Sequence, residues 1–270
     1  MEKQLFRFKK NPELYIGSAI TIIMILLIVA GVIFSPYDPD AMDVASKFAK
    51  PSAKHILGCD NFGRDLFARL TVGGATTLFV ALGTVAIGVT GGIIIGAFTG
   101  YYGGAADEVV MRFNDAVLAF PSILLALVII SVFGSGTEKV IIALGIVFVP
   151  SFARIVRSEF MRCKNLDYVR SARLMGANNA RIMFVHILPN TVPVLLSSTV
   201  IGFNNAVLAE ASMSFLGIGV QPPASSLGRM LSDSQAFLFS DPMYAIYTGI
   251  TIALIVLGFS LLGDGLKKNA

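Results

Sequence analysis

The chain has 270 residues, of which 55% are hydrophobic and 14% are charged, and its net charge is +4. Soluble domains carry about 25% charged residues, so this composition excludes a soluble globular protein and indicates a membrane protein. The basic residues are spread over several loops without interleaved aromatic side chains, which excludes nucleic acid as a partner. Two cysteines provide neither a disulfide framework nor a metal-binding pattern.

Six apolar runs are candidates for helices that cross a bilayer. The fourth run is short and ends at a basic cluster. The sequence therefore predicts an all-α polytopic membrane protein with about six transmembrane helices. In chain order, the predicted spans are Leu14–Phe34, Thr76–Tyr101, Val117–Phe133, Val140–Ile155, Leu188–Leu208 and Met243–Leu262.

The distribution of lysine and arginine gives the predicted orientation. With the N-terminus inside, fourteen of the 21 Lys and Arg residues fall in inside segments, four of them within residues 1–10. The positive-inside rule therefore predicts that both termini are cytoplasmic. Cys59 and Cys163 then lie on opposite sides of the membrane, so they cannot pair, and an impermeant thiol reagent is expected to label only Cys59 in intact cells.

The second predicted span contains Gly92, Gly96 and Gly100 at four-residue intervals. Small residues at this spacing let two helix backbones approach closely, although glycine is also common in membrane helices without such a role. In either case, we expect the second span to pack against protein.

The segment Leu166–Asn190 is polar and basic, although it lies between two apolar runs. We expect two short helices, a break at residues 176–179 and an end at Pro189. Asp167 and Arg170 are three residues apart and can pair on one helix. The segment is either a cytoplasmic loop enriched in arginine by the positive-inside rule or a docking surface for a cytoplasmic partner.

This segment resembles the cytoplasmic coupling motif of ATP-binding-cassette importer permeases. Four residues match the spacing of that motif: Ala172, Gly176, Leu188 and Pro189. Arg170 and Ser171 replace its leading Glu-Ala and His186 replaces its Ile, a form similar to the peptide and nickel branch. The resemblance implies coupling helices near residues 157–187 that seat in a groove of an ATPase subunit. The residues it assigns to coupling are Tyr168, Arg170, Ala172, Arg173, Gly176, Ala177, Leu188 and Pro189.

The segment His55–Leu70, HILGCDNFGRDLFARL, resembles a second signature of the same branch. Gly63 permits a bend, and Asp65 can cap the helix that follows. His55 and Cys59 are four residues apart and could hold a metal on a helix, but two ligands alone seldom make a site, so no metal site is predicted. Further similar segments extend the resemblance over essentially the whole chain: Tyr101–Glu108, Glu210–Gly219 and Leu262–Leu266.

The resemblance implies a type I ABC importer permease fold and two parts of the chain. Residues 1–71 would hold a cytoplasmic tail, the first transmembrane helix and an outside loop, and residues 72–270 a five-helix permease core. The implied partners are a second homologous permease subunit, two cytoplasmic ATP-binding subunits, an extracytoplasmic binding protein and the lipid bilayer of the cell membrane.

Motifs of catalysis are absent from the sequence. It contains no phosphate-binding loop, no GxSxG and no HExxH, and its two histidines, His55 and His186, fall on opposite sides of the predicted membrane. We therefore expect no enzymatic activity and no cofactor in this chain. The resemblance implies that ATP and Mg²⁺ are bound by the partner subunits.

The fifth predicted span and its end carry polar residues, Asn204, Asn205 and Glu210. They can line a translocation path or hydrogen-bond to neighbouring helices. The favoured cargo is short peptides, because no His or Cys lies well inside a span to serve nickel. Import of nickel or a metal chelate is the first alternative. A self-contained secondary transporter is the second, and the near absence of charge inside the spans argues against it.

Overall fold

The structure is a computed structural model that describes residues 11–269, so the basic tail at residues 1–10, predicted to be cytoplasmic, lies outside the described residues. The described part of the chain is helical and contains only one isolated β-bridge, between Cys59 and Asp65. The all-α prediction is confirmed. The helices are α1 Pro12–Phe34, α2 Leu66–Tyr102, α3 Gly104–Ala119, α4 Ser122–Phe133, α5 Thr137–Cys163, α6 Asp167–Leu174, α7 Asn179–Arg181, α8 Leu188–Phe215, α9 Leu227–Ser234 and α10 Pro242–Asn269.

Among residues 11–269, five helical segments are long and apolar enough to cross a membrane: α1, α2, α5, α10 and the run Asn179–Phe215 that contains α8. They correspond to five of the six predicted spans, but the helices continue beyond the apolar runs. α2 begins at Leu66 rather than Thr76, and α5 ends at Cys163 rather than Ile155. Hydropathy locates only the apolar part of a helix, whereas the helix continues until its capping residues.

The remaining predicted span, Val117–Phe133, is wrong as a single straight helix. The chain breaks at Phe120 and Pro121, and α3 and α4 meet at an angle of 95°. Proline disfavours the helical conformation of the residue before it, and Phe120 is extended, with φ −82° and ψ 139°. The apolar run conceals this break, because hydropathy takes no account of the proline.

Helices α2 and α5 pack closely along a row of glycines. A Cβ atom on Gly100 would lie 2.7 Å from the carbonyl oxygen of Arg157 and 2.8 Å from the Cβ of Phe160. Gly92 and Gly96 are likewise in direct contact with the α5 backbone. The expected packing of the second span against protein is therefore confirmed, with α5 as its partner.

The first and last helices also form a pair, which brings the two ends of the described chain together. The Asn11 side-chain amide donates to the carbonyl oxygen of Gly265 at 3.2 Å. Lys268 Nζ lies 2.6 Å from Glu13 Oε1. Because α1 and α10 run antiparallel, both described ends lie at the same end of the helix bundle.

The loop between α1 and α2 is organised around buried charges. Gly63 bends the chain with φ +76°. The following Asp65 caps α2, as predicted, by accepting a hydrogen bond from the Ala68 N–H at 2.7 Å. Its second oxygen bonds His55 Nδ1 at 2.9 Å. The N-terminal end of α2 is therefore fixed to the loop before it.

The hypothesis that His55 and Cys59 hold a metal on a helix is wrong, because this part of the loop is not helical. Within residues 11–269, no group of three His, Cys, Asp or Glu side chains is arranged to hold a metal ion. Cys59 is only 1% exposed, and burial, with Asp65 nearby, raises the pKa of its thiol to about 11. The expectation that a thiol reagent labels Cys59 is therefore corrected. Cys163 is buried in the same apolar cluster as Tyr101, at the other end of α2.

Candidate functional site

The polar segment after α5 folds into a helical hairpin, which we call the coupling hairpin and define as Asp167–Ile187. The chain turns at Gly176, with φ +85°, and the Asn178 side chain caps the next turn by accepting from the Arg181 N–H at 2.8 Å. The predicted break is present, but only α6 is a separate short helix, because α7 continues through the π-helical turn into α8.

The predicted end at Pro189 is wrong, because the helix continues through this residue into α8. A π-helical turn at Ile182–Ile187 precedes the proline, and the Leu188 N–H bonds the carbonyl oxygen of Met183, five residues back. A wider turn relieves the clash between a proline ring and the preceding turn. Pro189 also lies in the first turn of α8, where its missing N–H is tolerated.

One face of α6 is turned into the protein. Val169 is 1% exposed and Ala172 is 2% exposed, and Val169 belongs to an apolar cluster that joins α6 to α2, α5 and the π-helical turn. Ala172 therefore supports the hairpin from within and offers no surface to a partner. Gly176 is exposed and shapes the turn.

The opposite side of the hairpin exposes two large apolar side chains that the sequence reasoning did not select. Leu174 is 90% exposed and Met175 is 80% exposed, directly before the turn at Gly176. Arg170 and Arg173 are also exposed. We call this group of four residues the hairpin tip. The sequence feature that could have indicated this surface is the apolar pair Leu174 and Met175 at the end of an otherwise polar helix.

The other residues assigned to coupling range from half-buried to exposed. Tyr168 is half-buried, and burial, followed by the nearby Cys163 thiol, raises the pKa of its hydroxyl to about 12. Ala177 and Leu188 are half-buried and pack against the apolar cluster that contains Val169. Pro189 is exposed. The predicted pairing of Arg170 with Asp167 is present at 3.5 Å. It joins two well-exposed side chains, so it contributes little to stability.

A cavity of about 860 Å³ opens between the bend of α3 and α4, helix α5 and helix α8. The wall is mostly apolar and carries a small set of polar side chains. These are Ser122, Ser151, Ser197, Ser198, Asn205, Ser212 and Lys267. Lys267 is the one charged side chain among the described lining residues, and sequence reasoning missed it because it comes from the far end of the chain.

The three polar residues proposed for the path are placed differently. Asn205 is exposed and lines the cavity. Asn204 is half-buried and lies outside the cavity wall. Glu210 is fully buried and accepts a hydrogen bond from Ser214 Oγ at 2.6 Å. Ser214 Oγ in turn accepts from the Val220 N–H at 3.0 Å, so Glu210 organises the turn after α8.

Comparison with protein families identifies two matching regions. Residues 92–269 match the model described as binding-protein-dependent transport system inner membrane component. Residues 3–51 match the N-terminal transmembrane domain of oligopeptide transport permease C. Together these regions cover most of the chain.

Several curated proteins are similar over nearly all of the chain. The dipeptide transport system permease protein DppC of Alkalihalophilus pseudofirmus is 37% identical over 97% of this chain and 86% of its own length. DppC of Haemophilus influenzae is 34% identical over 97% of this chain and 91% of its own length. The glutathione transport system permease protein GsiD of Pectobacterium atrosepticum is 40% identical over 86% of this chain and 77% of its own length.

Solved structures share the fold. The inward-facing MetNI methionine ABC transporter matches with a TM-score of 0.61 and 18% identity, covering 75% of this chain and 96% of that one. An amino acid ABC transporter matches with a TM-score of 0.57 and 20% identity, covering 74% of this chain and 94% of that one.

Proposed function

Because the chain belongs to the inner-membrane components of binding-protein-dependent transport systems, we propose that it forms half of a translocation path for short peptides. It is a multi-pass membrane permease subunit of an ATP-driven importer, and ATP is hydrolysed in a separate subunit. A self-contained secondary transporter, the second alternative from the sequence, does not fit this family.

The observation that carries the peptide assignment is the chemistry of the cavity. Its described polar lining consists of serine hydroxyls, the Asn205 amide and the Lys267 ammonium group. A peptide presents amide groups and a carboxylate, which such groups can bind. A path for nickel would offer imidazole or thiolate ligands, and none lies among the described lining residues. The relatives named for dipeptide and glutathione transport support the same cargo.

The hairpin tip is the surface proposed to dock on the ATPase subunit. Leu174 and Met175 offer apolar side chains that a groove can bury. Arg170 and Arg173 flank them with positive charge that acidic groups of the partner can meet. Ala172 then acts from inside the hairpin, by keeping α6 close to the cluster beneath it.

The complete importer is proposed to contain two permease subunits, two ATPase subunits that bind ATP and Mg²⁺, and an extracytoplasmic binding protein. The second permease would close the open side of the cavity and supply the other half of its wall. Both termini are proposed to be cytoplasmic, on the same side as the hairpin tip. The division into residues 1–71 and a permease core at 72–270 is proposed with this arrangement.

The cargo is tested by uptake in cells that lack their own peptide and nickel importers and co-express the cognate partner subunits. We expect saturable uptake of a radiolabelled dipeptide that other dipeptides inhibit and nickel leaves unchanged. Nickel uptake that excess dipeptide leaves unaffected would overturn the peptide assignment.

A matched pair of variants tests the path. Asn205→Leu is expected to raise the KM for the dipeptide several-fold, because it removes an amide from the cavity wall. Asn204→Leu changes the neighbouring residue, outside the wall, and is expected to leave the KM unchanged. Equal effects of the two substitutions would refute the proposed lining role of Asn205.

A further inference from the structure

The inner end of α2 is held by the end of α5, to which it has no direct chain connection. Lys164 Nζ donates to the carbonyl oxygen of Gly100 at 2.8 Å and to that of Tyr101 at 3.3 Å. These carbonyl groups belong to the last turn of α2, where the helix leaves acceptors unpaired and where positive charge is favourable. Lys164 therefore caps α2 from a neighbouring helix.

The side chain of Tyr101 continues this connection into the coupling hairpin. Tyr101 is 8% exposed, and its hydroxyl donates to Asn179 Oδ1 at 2.8 Å. The same hydroxyl accepts a hydrogen bond from Arg173 Nη2 at 3.4 Å. One phenol group thus bridges α6 and α7, on either side of the turn at Gly176. A phenylalanine at position 101 would keep the ring packing but lose both hydrogen bonds. The hydroxyl therefore links α2 to α6 and α7 in addition to the packing of the ring.

This link matters because of how the chain connects the helices. The hairpin continues directly from α5 and into α8, but α2 reaches it only through side-chain contacts. α2 has 37 residues without a break, which is about 55 Å at 1.5 Å per residue. At its outer end, Arg69 donates to Asp40 Oδ1 at 3.1 Å and to the Pro39 carbonyl oxygen at 3.2 Å. One continuous helix therefore joins the hairpin to the outer loop.

We propose that Tyr101 is the positioning residue that passes displacement of the coupling hairpin to α2, and through α2 to the outer loop. The inference rests on the proposed docking of the hairpin tip on the ATPase subunit. The Tyr101 hydroxyl ties α2 to both short helices of the hairpin, so a shift of the hairpin moves the inner end of α2 with it. Without the hydroxyl, α2 follows the hairpin only through apolar packing.

The test compares Tyr101→Phe with Tyr102→Phe in the complete importer, reconstituted in proteoliposomes with its binding protein and a dipeptide. Tyr102 is 52% exposed, and its hydroxyl makes no hydrogen bond to the described residues. For Tyr101→Phe, we expect ATP hydrolysis within twofold of wild type and a roughly three- to ten-fold fall in peptide transported per ATP, the scale of one lost hydrogen bond. For Tyr102→Phe, both quantities are expected to stay unchanged. Unchanged peptide per ATP in Tyr101→Phe, or an equal fall in both variants, would overturn the proposal.

A double-substitution cycle tests the route through Asn179. If Tyr101 acts mainly through this residue, Asn179→Ala lowers peptide transported per ATP, and adding Tyr101→Phe lowers it by a smaller factor than Tyr101→Phe does in the wild type. Losses that multiply would overturn the role of the Tyr101–Asn179 bond.

The variant Leu174→Glu separates this inference from the proposed docking on which it rests. If the ATPase subunit copurifies normally with Leu174→Glu, docking at the hairpin tip is refuted. If Tyr101→Phe loses this copurification, Tyr101 acts in binding of the ATPase subunit and the proposed transfer of displacement from the hairpin to α2 is refuted.

Discussion

Replacing Leu174 by alanine tests whether the hairpin tip is a docking surface. Leu174 is 90% exposed in the isolated chain, so nearly all of its apolar surface is available for burial by a partner. The substitution removes three carbon atoms, and burial of each contributes about 0.8 kcal/mol of binding free energy. Because nine-tenths of the side chain is available for burial, the expected loss of binding free energy is about 2 kcal/mol. At 1.4 kcal/mol per tenfold change, the dissociation constant is expected to rise about 30-fold.

The measurement is a titration of the ATPase subunit into detergent-solubilised permease that carries a fluorescent label. Leu216→Ala serves as the matched control, because Leu216 is 59% exposed and follows the far end of α8. The control is expected to bind like wild type. A dissociation constant within twofold of wild type for Leu174→Ala would refute the assignment of the tip to docking.

Three further predictions address topology, packing and capping. In cells, an impermeant thiol reagent is expected to label Lys54→Cys and to miss Arg170→Cys, and the reverse pattern would invert the proposed orientation. Gly96→Ala is expected to destabilise the protein by about 1–3 kcal/mol through overpacking, measured by thermal melting in detergent. Gly249→Ala is expected to be tolerated, because nothing lies within 4 Å of the position of an added Cβ. Asp65→Ala is expected to cost about 0.5–2 kcal/mol through the lost helix cap; an unchanged melting temperature would contradict this.

The sequence predicted the elements that depend on local composition. Apolar runs located five of the six spans, because a helix needs about 20 apolar residues to cross the hydrocarbon layer. The spacing of Gly92, Gly96 and Gly100 indicated a close helix contact, and the partner proved to be α5. Asp65 was correctly expected to cap α2. Each of these features is contained in a few neighbouring residues.

The errors arose where local rules compete or where distant residues meet. Pro121 breaks an apolar run that hydropathy reports as continuous, whereas Pro189 does not end its helix, because the π-helical turn before it accommodates the ring. Met175 was overlooked because an apolar residue is expected to be buried unless the fold shows otherwise. Lys267 and Tyr101 acquire their neighbours from elements far away in the chain, which spacing in the sequence does not reveal.

The pairing of the first helix with the last has a consequence for biosynthesis. Asn11 and Gly265 are separated by 254 positions, so at about 5–20 residues per second α1 enters the bilayer roughly 10–50 s before its partner is made. Lipid tails cover apolar side chains as well as protein does. The apolar surface of α1 therefore stays out of water in the bilayer before α10 is synthesised. A chain whose synthesis stops before α10 therefore has a first helix without the neighbour that holds both Asn11 and Glu13.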